Sequence, residues 1–457
     1  KKRIFLVQKI DVLNAPIGPT VFKMAVPNML TMLLWIITFV IEGWFIGTLG
    51  IVPLAGLALG FPMLFLLLML SAGTIGGAIT GTVAQYLGAG NKKGAEDTAV
   101  SALQLTFFLG LLSAFVFLTL GEKIYRGLGA EGEVLKEALR YSDVLFTGCF
   151  TVWIANGLAG VVRATGHMYV SALCLASGSL VQIILAAVFI FGFGLMDSLG
   201  ISGSSLSIVI GNGVSAFLLI LYLSFKCENL KLRFPFKRIN FSSMLAIIKL
   251  GSLASINAFC TWGSVVIVTS HMTKFGVEVL AGYGIGARLE FLIIPIVFGF
   301  GAASTALIGV HFGANKYSRA LKIGWTAVFY SSLISGIIGI LVSIYPELWS
   351  DSFTKSHVAQ ESCKAYLQVV GPFYVFFSIG LCLYFASQGA GRVLWPAVAA
   401  IIRLLIVFIG GIILSNQPSA PITFYFSLIS LAFFVQATIT SIAIYLGAWT
   451  KGRVSIK

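Results

Sequence analysis

Charge is what this chain has least of. Only 10% of its 457 residues are charged while 58% are hydrophobic, against roughly 25% and 45–50% in ordinary soluble domains. That balance excludes a soluble globular protein and describes a polytopic one, built from apolar spans of about 20 residues in a lipid bilayer. Acids are scarcer than bases, 16 against 30, and there are four histidines. No HExxH, no pair of catalytic acids and no Ser/His/Asp order occurs at usable spacing, so nothing points to an enzyme. The absence of GxxxxGK[ST] argues against a fused ATPase. The six cysteines, Cys149, Cys174, Cys227, Cys260, Cys363 and Cys382, show no CxxC spacing; neither a zinc site nor a disulfide framework is indicated, and they read as small buried hydrophobes. No cofactor is implied. The N-terminal stretch KKRIFLVQKIDVLNAPIG has too short an apolar run for a cleaved signal peptide. The net charge of +14 is dispersed over loops between apolar runs, which is the pattern of membrane topology and not of a nucleic-acid groove.

What is present is a series of long apolar runs bounded by charged or Gly/Pro/Asn turns. They predict twelve helices, at about 26–46, 53–86, 98–120, 138–160, 168–192, 201–225, 243–272, 279–311, 320–345, 362–388, 395–415 and 422–448. An even number of spans puts both termini on one side. The termini and alternate loops of that side hold twenty Lys and Arg residues; the opposite side holds seven, Lys123, Arg126, Lys136, Arg140, Lys274, Lys355 and Lys364. The basic side is cytoplasmic by the positive-inside bias. The most basic loop, at 226–242 in the middle of the chain, reads as a cytoplasmic link between an N-terminal lobe, 1–225, and a C-terminal lobe, 243–457.

The two halves are repeats. Leu49–Gly60 and Phe275–Gly286 share Gly50/Gly276, Leu54/Leu280, Ala55/Ala281, Gly56/Gly282 and Gly60/Gly286 at a single offset of 226 residues. LGAGNKK at 87–93 is echoed by FGANK at 312–316, and RATGH at 163–167 by QGAGR at 388–392. Repeated halves of a membrane protein are the build plan of secondary transporters. Within the first apolar helix stands Glu42, and a carboxyl in hydrocarbon is a functional-site hypothesis by default. One proton moved through 100 mV is worth about 2.3 kcal/mol, enough for roughly a fifty-fold substrate gradient. The bland alternative is a Glu42 that reaches the outer interface and is merely solvated.

In order and spacing these motifs resemble the multidrug and toxic compound extrusion (MATE) transporters, over nearly the whole chain. The resemblance rests on Glu42 followed by Leu49–Gly50 and Leu54–Ala55–Gly56, on AQYLGAGN at 84–91, on RATG at 163–166, and on GARLEFLIIPIVFGFGAASTALIGVHFGAN at 286–315. It implies an all-helical, V-shaped pair of six-helix lobes in the prokaryotic inner (plasma) membrane, working as an antiporter. Inward flow of protons or sodium would expel cationic or amphipathic organic compounds by alternating access. The family's first-helix aspartate falls on Glu42. The asparagine and aspartate of the prokaryotic branch's helix five fall on Gln182 and Ala186, and its helix-six threonine on Ile208 with Asn212 a turn further. The acids of the other branch, in helices seven and ten, fall near Thr261 and Phe377. The resemblance thus covers the fold and matches neither ion site in full.

Glu42 is the expected ion-coupling residue, with H⁺ or Na⁺ as the coupling ion. Thr38, Asn156, Gln182 and Asn212 are polar residues inside N-half spans that could line a cavity; interhelical hydrogen bonding is their ordinary use. Trp44 and Trp153, with Trp35 and Tyr169, could stack on a flat cation, against interfacial anchoring as the common role of such residues. Arg288 and Glu290, two apart and so on different helix faces, are expected to find partners on other helices. Arg403, a lone mid-span cation, would want a carbonyl or Glu290. Pro27, Pro62, Pro295, Pro372 and Pro396 are expected kink points. The expected partners are a small organic substrate and the bilayer, with no nucleic acid, and the protein is expected to be a monomer. The rival functions are a lipid-linked saccharide flippase of the same superfamily and a non-transporting receptor or scaffold.

Overall fold

The structure is a computed structural model, and it describes residues 13–194, 197–232, 240–417 and 420–450. Within an apolar medium every backbone N–H and C=O needs an internal partner, and the helix supplies one to each. The chain is accordingly all-helical. Eleven helices among the described residues are long and apolar enough to cross a membrane, and a bent pair makes twelve.

In chain order the spans are α1 (Ile17–Leu49), α2 (Ile51–Gly88), α3 (Lys92–Gly127), α4 (Gly132–Thr147 with Phe150–Ala164), α5 (Met168–Phe191) and α6 (Ile201–Lys226). The second set is α7 (Phe241–Phe275), α8 (Val277–Gly313), α9 (Tyr317–Ile344), α10 (His357–Ala390), α11 (Leu394–Ser415) and α12 (Ile422–Tyr445). Several helices outrun their apolar cores. The first begins at Ile17 rather than near 26, and the third extends from Lys92 to Gly127 rather than over 98–120. Asn91 caps α3, its side-chain oxygen accepting from the Gly94 N–H at 2.8 Å, so the charged residues of the first turn stay helical past the hydrocarbon.

The sequence predicted a continuous fourth helix over 138–160, and this is corrected: its two segments meet at a bend of 50°. The first segment carries the ion pairs Lys136–Glu133 and Arg140–Glu137, each at 2.7 Å, and its charges favour water. The second, from Phe150, is apolar and buried. The bend falls at Gly148–Cys149, where there is no proline. Of the expected kink points, Pro27, Pro62 and Pro295 lie inside helices, and Pro372 falls in a 3₁₀ turn, Gly371–Phe373, that interrupts α10. A seven-residue π-helical turn, Met69–Ile75, interrupts α2.

The chain divides into two compact units. One runs from Leu30 to Lys249; the other runs from Leu250 onward and takes in α1 up to Met29. Positions 233–239 of the expected basic link, and the basic residues at both termini, lie outside the described residues. The internal repeat has a physical basis. Gly50 and Gly276, which open α2 and α8, have φ of 126° and 100°, a conformation costly for any side chain with a Cβ. A second repeated joint ties α2 to α4 and α8 to α10. Thr80 Oγ1 donates to the Gly160 carbonyl at 3.0 Å, and Thr305 Oγ1 to the Phe385 carbonyl at 2.7 Å, both members 225 residues apart.

In the first unit α5 and α6 approach through glycine. A Cβ on Gly211 would lie 2.7 Å from the Gly178 carbonyl oxygen and 2.8 Å from Gln182 Cβ. This close approach brings the side chains of the two helices to a common face. Gly211→Leu is expected to force the helices apart and lower the midpoint of thermal unfolding in detergent markedly; an unchanged midpoint would show that the joint is plastic.

Candidate functional site

Glu42 lies seven residues before the end of α1, on the face that also carries Thr38 one turn earlier. Both are buried, at 2% and 0% exposure. The carboxyl is therefore enclosed by its own lobe and is not solvated at the outer rim. Gln182 Nε2, from α5, donates to Glu42 Oε1 at 2.8 Å. Two hydroxyls from the first turns of α6 complete the set, Ser204 Oγ at 3.4 Å from Oε2 and Ser207 Oγ at 3.3 Å from Oε1. None of these partners carries charge. Ser207 Oγ is also 2.6 Å from the Ser204 carbonyl. Tyr141, on α4, packs its ring where a Cβ of Gly60 would stand; its hydroxyl is enclosed and has no partner among the described residues.

The other residues singled out in the N-terminal half are placed elsewhere. Thr38 back-bonds to the Leu34 carbonyl at 2.9 Å, and Asn212 to the Ile208 carbonyl at 2.9 Å. Asn156 donates to Ser71 Oγ at 3.0 Å, joining α4 to the π-turn of α2. Trp153 is buried, its indole N–H held by Ser113 Oγ at 3.1 Å. Trp44 is 68% exposed. Gln182 thus comes together with Glu42, while Asn156, Trp153 and Asn212 are occupied in other contacts. Ser204, Ser207 and Tyr141 were not singled out from the sequence. The one available signal was the run Ser204–Ser205–Leu206–Ser207, which sets two hydroxyls three apart on one helix face.

The second unit has a polar centre of its own. Arg403, 5% exposed, donates to Gln436 Oε1 at 2.8 Å and to Thr261 Oγ1. Its acceptors are thus an amide oxygen and a hydroxyl, and no ion pair joins it to Glu290 among the described residues. Glu290, partly buried, accepts from the Tyr366 hydroxyl at 2.9 Å. Arg288 is exposed, and among the described residues it makes no ion pair with another helix. No group of three or more His, Cys, Asp or Glu side chains able to hold a metal occurs among the described residues.

The MatE family model matches residues 27–188 and 254–413, well over half of the chain. The chain belongs to the MatE family. It is therefore a membrane transporter and not an enzyme. Relatives include a probable multidrug resistance protein NorM of Thermotoga maritima, 25% identical over 386 residues that cover 84% of this chain and 82% of that one. Another is a probable multidrug resistance protein YoeA of Bacillus subtilis, 23% identical over 78% of this chain and 77% of that one. The fold matches the outward-facing structure of a multidrug resistance MATE transporter of the MOP superfamily, with a TM-score of 0.86 at 21% identity, covering 96% and 98% of the two chains.

Measured against the MATE resemblance, the site departs in composition and slightly in position. Ala186 and Ile208 are buried and apolar, so no second carboxyl or threonine hydroxyl stands at those places. The α6 hydroxyls sit at Ser204 and Ser207 instead, one turn and one residue before Ile208. In the second unit Thr261 accepts from Arg403, so a neutral hydroxyl stands at that place and no acid. Because Gln436 supplies a buried acceptor to a buried cation, Gln436→Leu is expected to cost about 1–3 kcal/mol of stability. Thermal unfolding measures this; Gln436→Glu, which keeps the acceptor, is expected to retain most of it.

Proposed function

We propose that this MATE chain is a proton-coupled antiporter of the inner membrane that exports cationic or amphipathic organic compounds, with Glu42 as the group that carries the coupling proton. The observation that supports this is a carboxyl buried in its lobe whose three hydrogen-bond partners, Gln182, Ser204 and Ser207, are all neutral. A carboxylate in such surroundings has no cation to balance it and is costly to keep. The donors are also few. A hydroxyl has one hydrogen, and the 2.6 Å contact of Ser207 with the Ser204 carbonyl competes for it. Ser207 therefore shares that hydrogen between the carbonyl and Glu42 Oε1, 3.3 Å away, and is a weak donor to a carboxylate.

The same residues suit release. With the proton gone, Gln182 and Ser204 donate to the two carboxylate oxygens, and the charge is held until the next proton arrives. Exchange of proton against substrate follows if the lobes, 1–225 and 243–457, alternate their access around the link at 226–242. Both termini lie on the cytoplasmic side by the distribution of basic residues, and the protein acts as a monomer. The substrate class is supported by the names of the relatives, probable multidrug resistance proteins. A lipid-linked saccharide flippase, which would need a cationic cleft for a pyrophosphate, is less well supported: Arg288 is exposed and Arg403 is committed to Gln436 and Thr261.

Efflux of a cationic dye from proteoliposomes, under separately imposed proton and sodium gradients, tests this. The wild-type protein is expected to export on a proton gradient alone. Glu42→Gln, which keeps the shape of the site and cannot titrate, is expected to lose at least 90% of that efflux, a tenfold drop equivalent to about 1.4 kcal/mol, with an unchanged unfolding temperature. Undiminished efflux by this variant would remove Glu42 from the mechanism, and efflux on sodium alone would change the ion.

A further inference from the structure

Arg163 closes the RATG motif's helix and takes no part in the coupling site. It lies in the last turn of α4 at 3% exposure, and its side chain makes no hydrogen bond or ion pair with any described residue. The other deeply buried arginine, Arg403, has two acceptors. A guanidinium does not shed its proton in a protein, so Arg163 keeps a charge that its own lobe does not balance, and a buried unbalanced charge is unfavourable.

The surroundings are ordered. Asn156, Gly160 and Arg163 lie at i, i+4 and i+7 on one face of α4, and that face packs on the interrupted part of α2. Asn156 bonds Ser71 within the π-turn, and Thr80 bonds the Gly160 carbonyl. Arg163 Nη2 stands 3.6 Å from the position of a Cβ on Gly76, the residue that ends the π-turn. Single π-turns inside α-helices recur at functional sites. Among the described residues of this lobe the fully enclosed, partnerless side-chain atoms are Gln104 Oε1, Tyr125 OH, Tyr141 OH and Ser224 Oγ; no Arg163 nitrogen is among them, so the guanidinium is not sealed on every side.

The second lobe provides an internal control. Its matching joint, Thr305 with the Phe385 carbonyl, repeats the packing of Thr80 on Gly160. The residue 225 positions after Arg163 is Gln388, buried and neutral. The joint therefore does not require a cation, and the charge at Arg163 serves something other than packing.

We propose that Arg163 binds a small monovalent anion of chloride size, which neutralises the guanidinium at the π-turn of the N-terminal lobe. The low exposure of Arg163 favours a small anion over an organic one. The site is independent of the coupling reaction, and its test does not read transport. The purified full-length protein in detergent is heated at constant pH and ionic strength in chloride, bromide, phosphate or gluconate. Chloride and bromide are expected to raise the unfolding midpoint saturably over gluconate. Arg163→Gln, the residue the second lobe carries, is expected to abolish that dependence. Bromide-soaked crystals of the wild-type protein are expected to show an anomalous peak beside Arg163, a readout that stands even if the variant fails to fold. A midpoint indifferent to the anion, halide dependence retained in Arg163→Gln, stabilisation by phosphate but not by halide, or no bromide at Arg163 would each overturn the assignment.

Discussion

An ionisable oxygen pair taken out of water sets the terms for the whole N-terminal lobe. Hydrocarbon opposes charge, so Glu42 persists there only because other helices bring dipoles to it: an amide from α5 and two hydroxyls from α6. Those dipoles reach it because α5 and α6 lie closer than helices with side chains at the contact could, through Gly178 and Gly211. The chain of dependence runs from two residues without side chains, to the spacing of two helices, to the donors on one carboxyl. Gln182 sits at both ends of it, since its Cβ packs on Gly211 while its amide holds Glu42.

The two lobes share a scaffold and differ in what they bury. Positive-φ glycines at 50 and 276 and the threonine joints at 80 and 305 are common to both; they are backbone devices, indifferent to the side chains around them. The polar contents are not repeated. The first lobe encloses Glu42 among neutral donors and an Arg163 side chain with no partner among the described residues, while the second encloses Arg403 between Gln436 and Thr261, with Glu290 on Tyr366. Once a duplicated joint supplies the packing, the residues inside it are free to take up separate chemistry. That freedom agrees with an N-terminal coupling site, and with a second lobe held together by an uncharged network around one cation.

The sequence by itself determined that the chain is a membrane protein of twelve apolar runs in two repeats, because hydropathy over about 20 residues and a constant offset between motifs are one-dimensional signals. It also singled out Glu42 and Gln182, since an acid and an amide are conspicuous against hydrocarbon. Ser204 and Ser207 were not legible. Most hydroxyls in these helices bond a carbonyl of their own helix, as Thr38 does at Leu34 and Thr106 at Ala102, so a serine in a span carries no sign of a distant partner. Only the tertiary structure decided that these two face a carboxyl 162 and 165 residues away, that α4 bends without a proline, and that the Arg403 side chain has acceptors while that of Arg163 has none among the described residues. Each of these depends on which helix faces touch, and that is settled by packing between segments far apart in the chain.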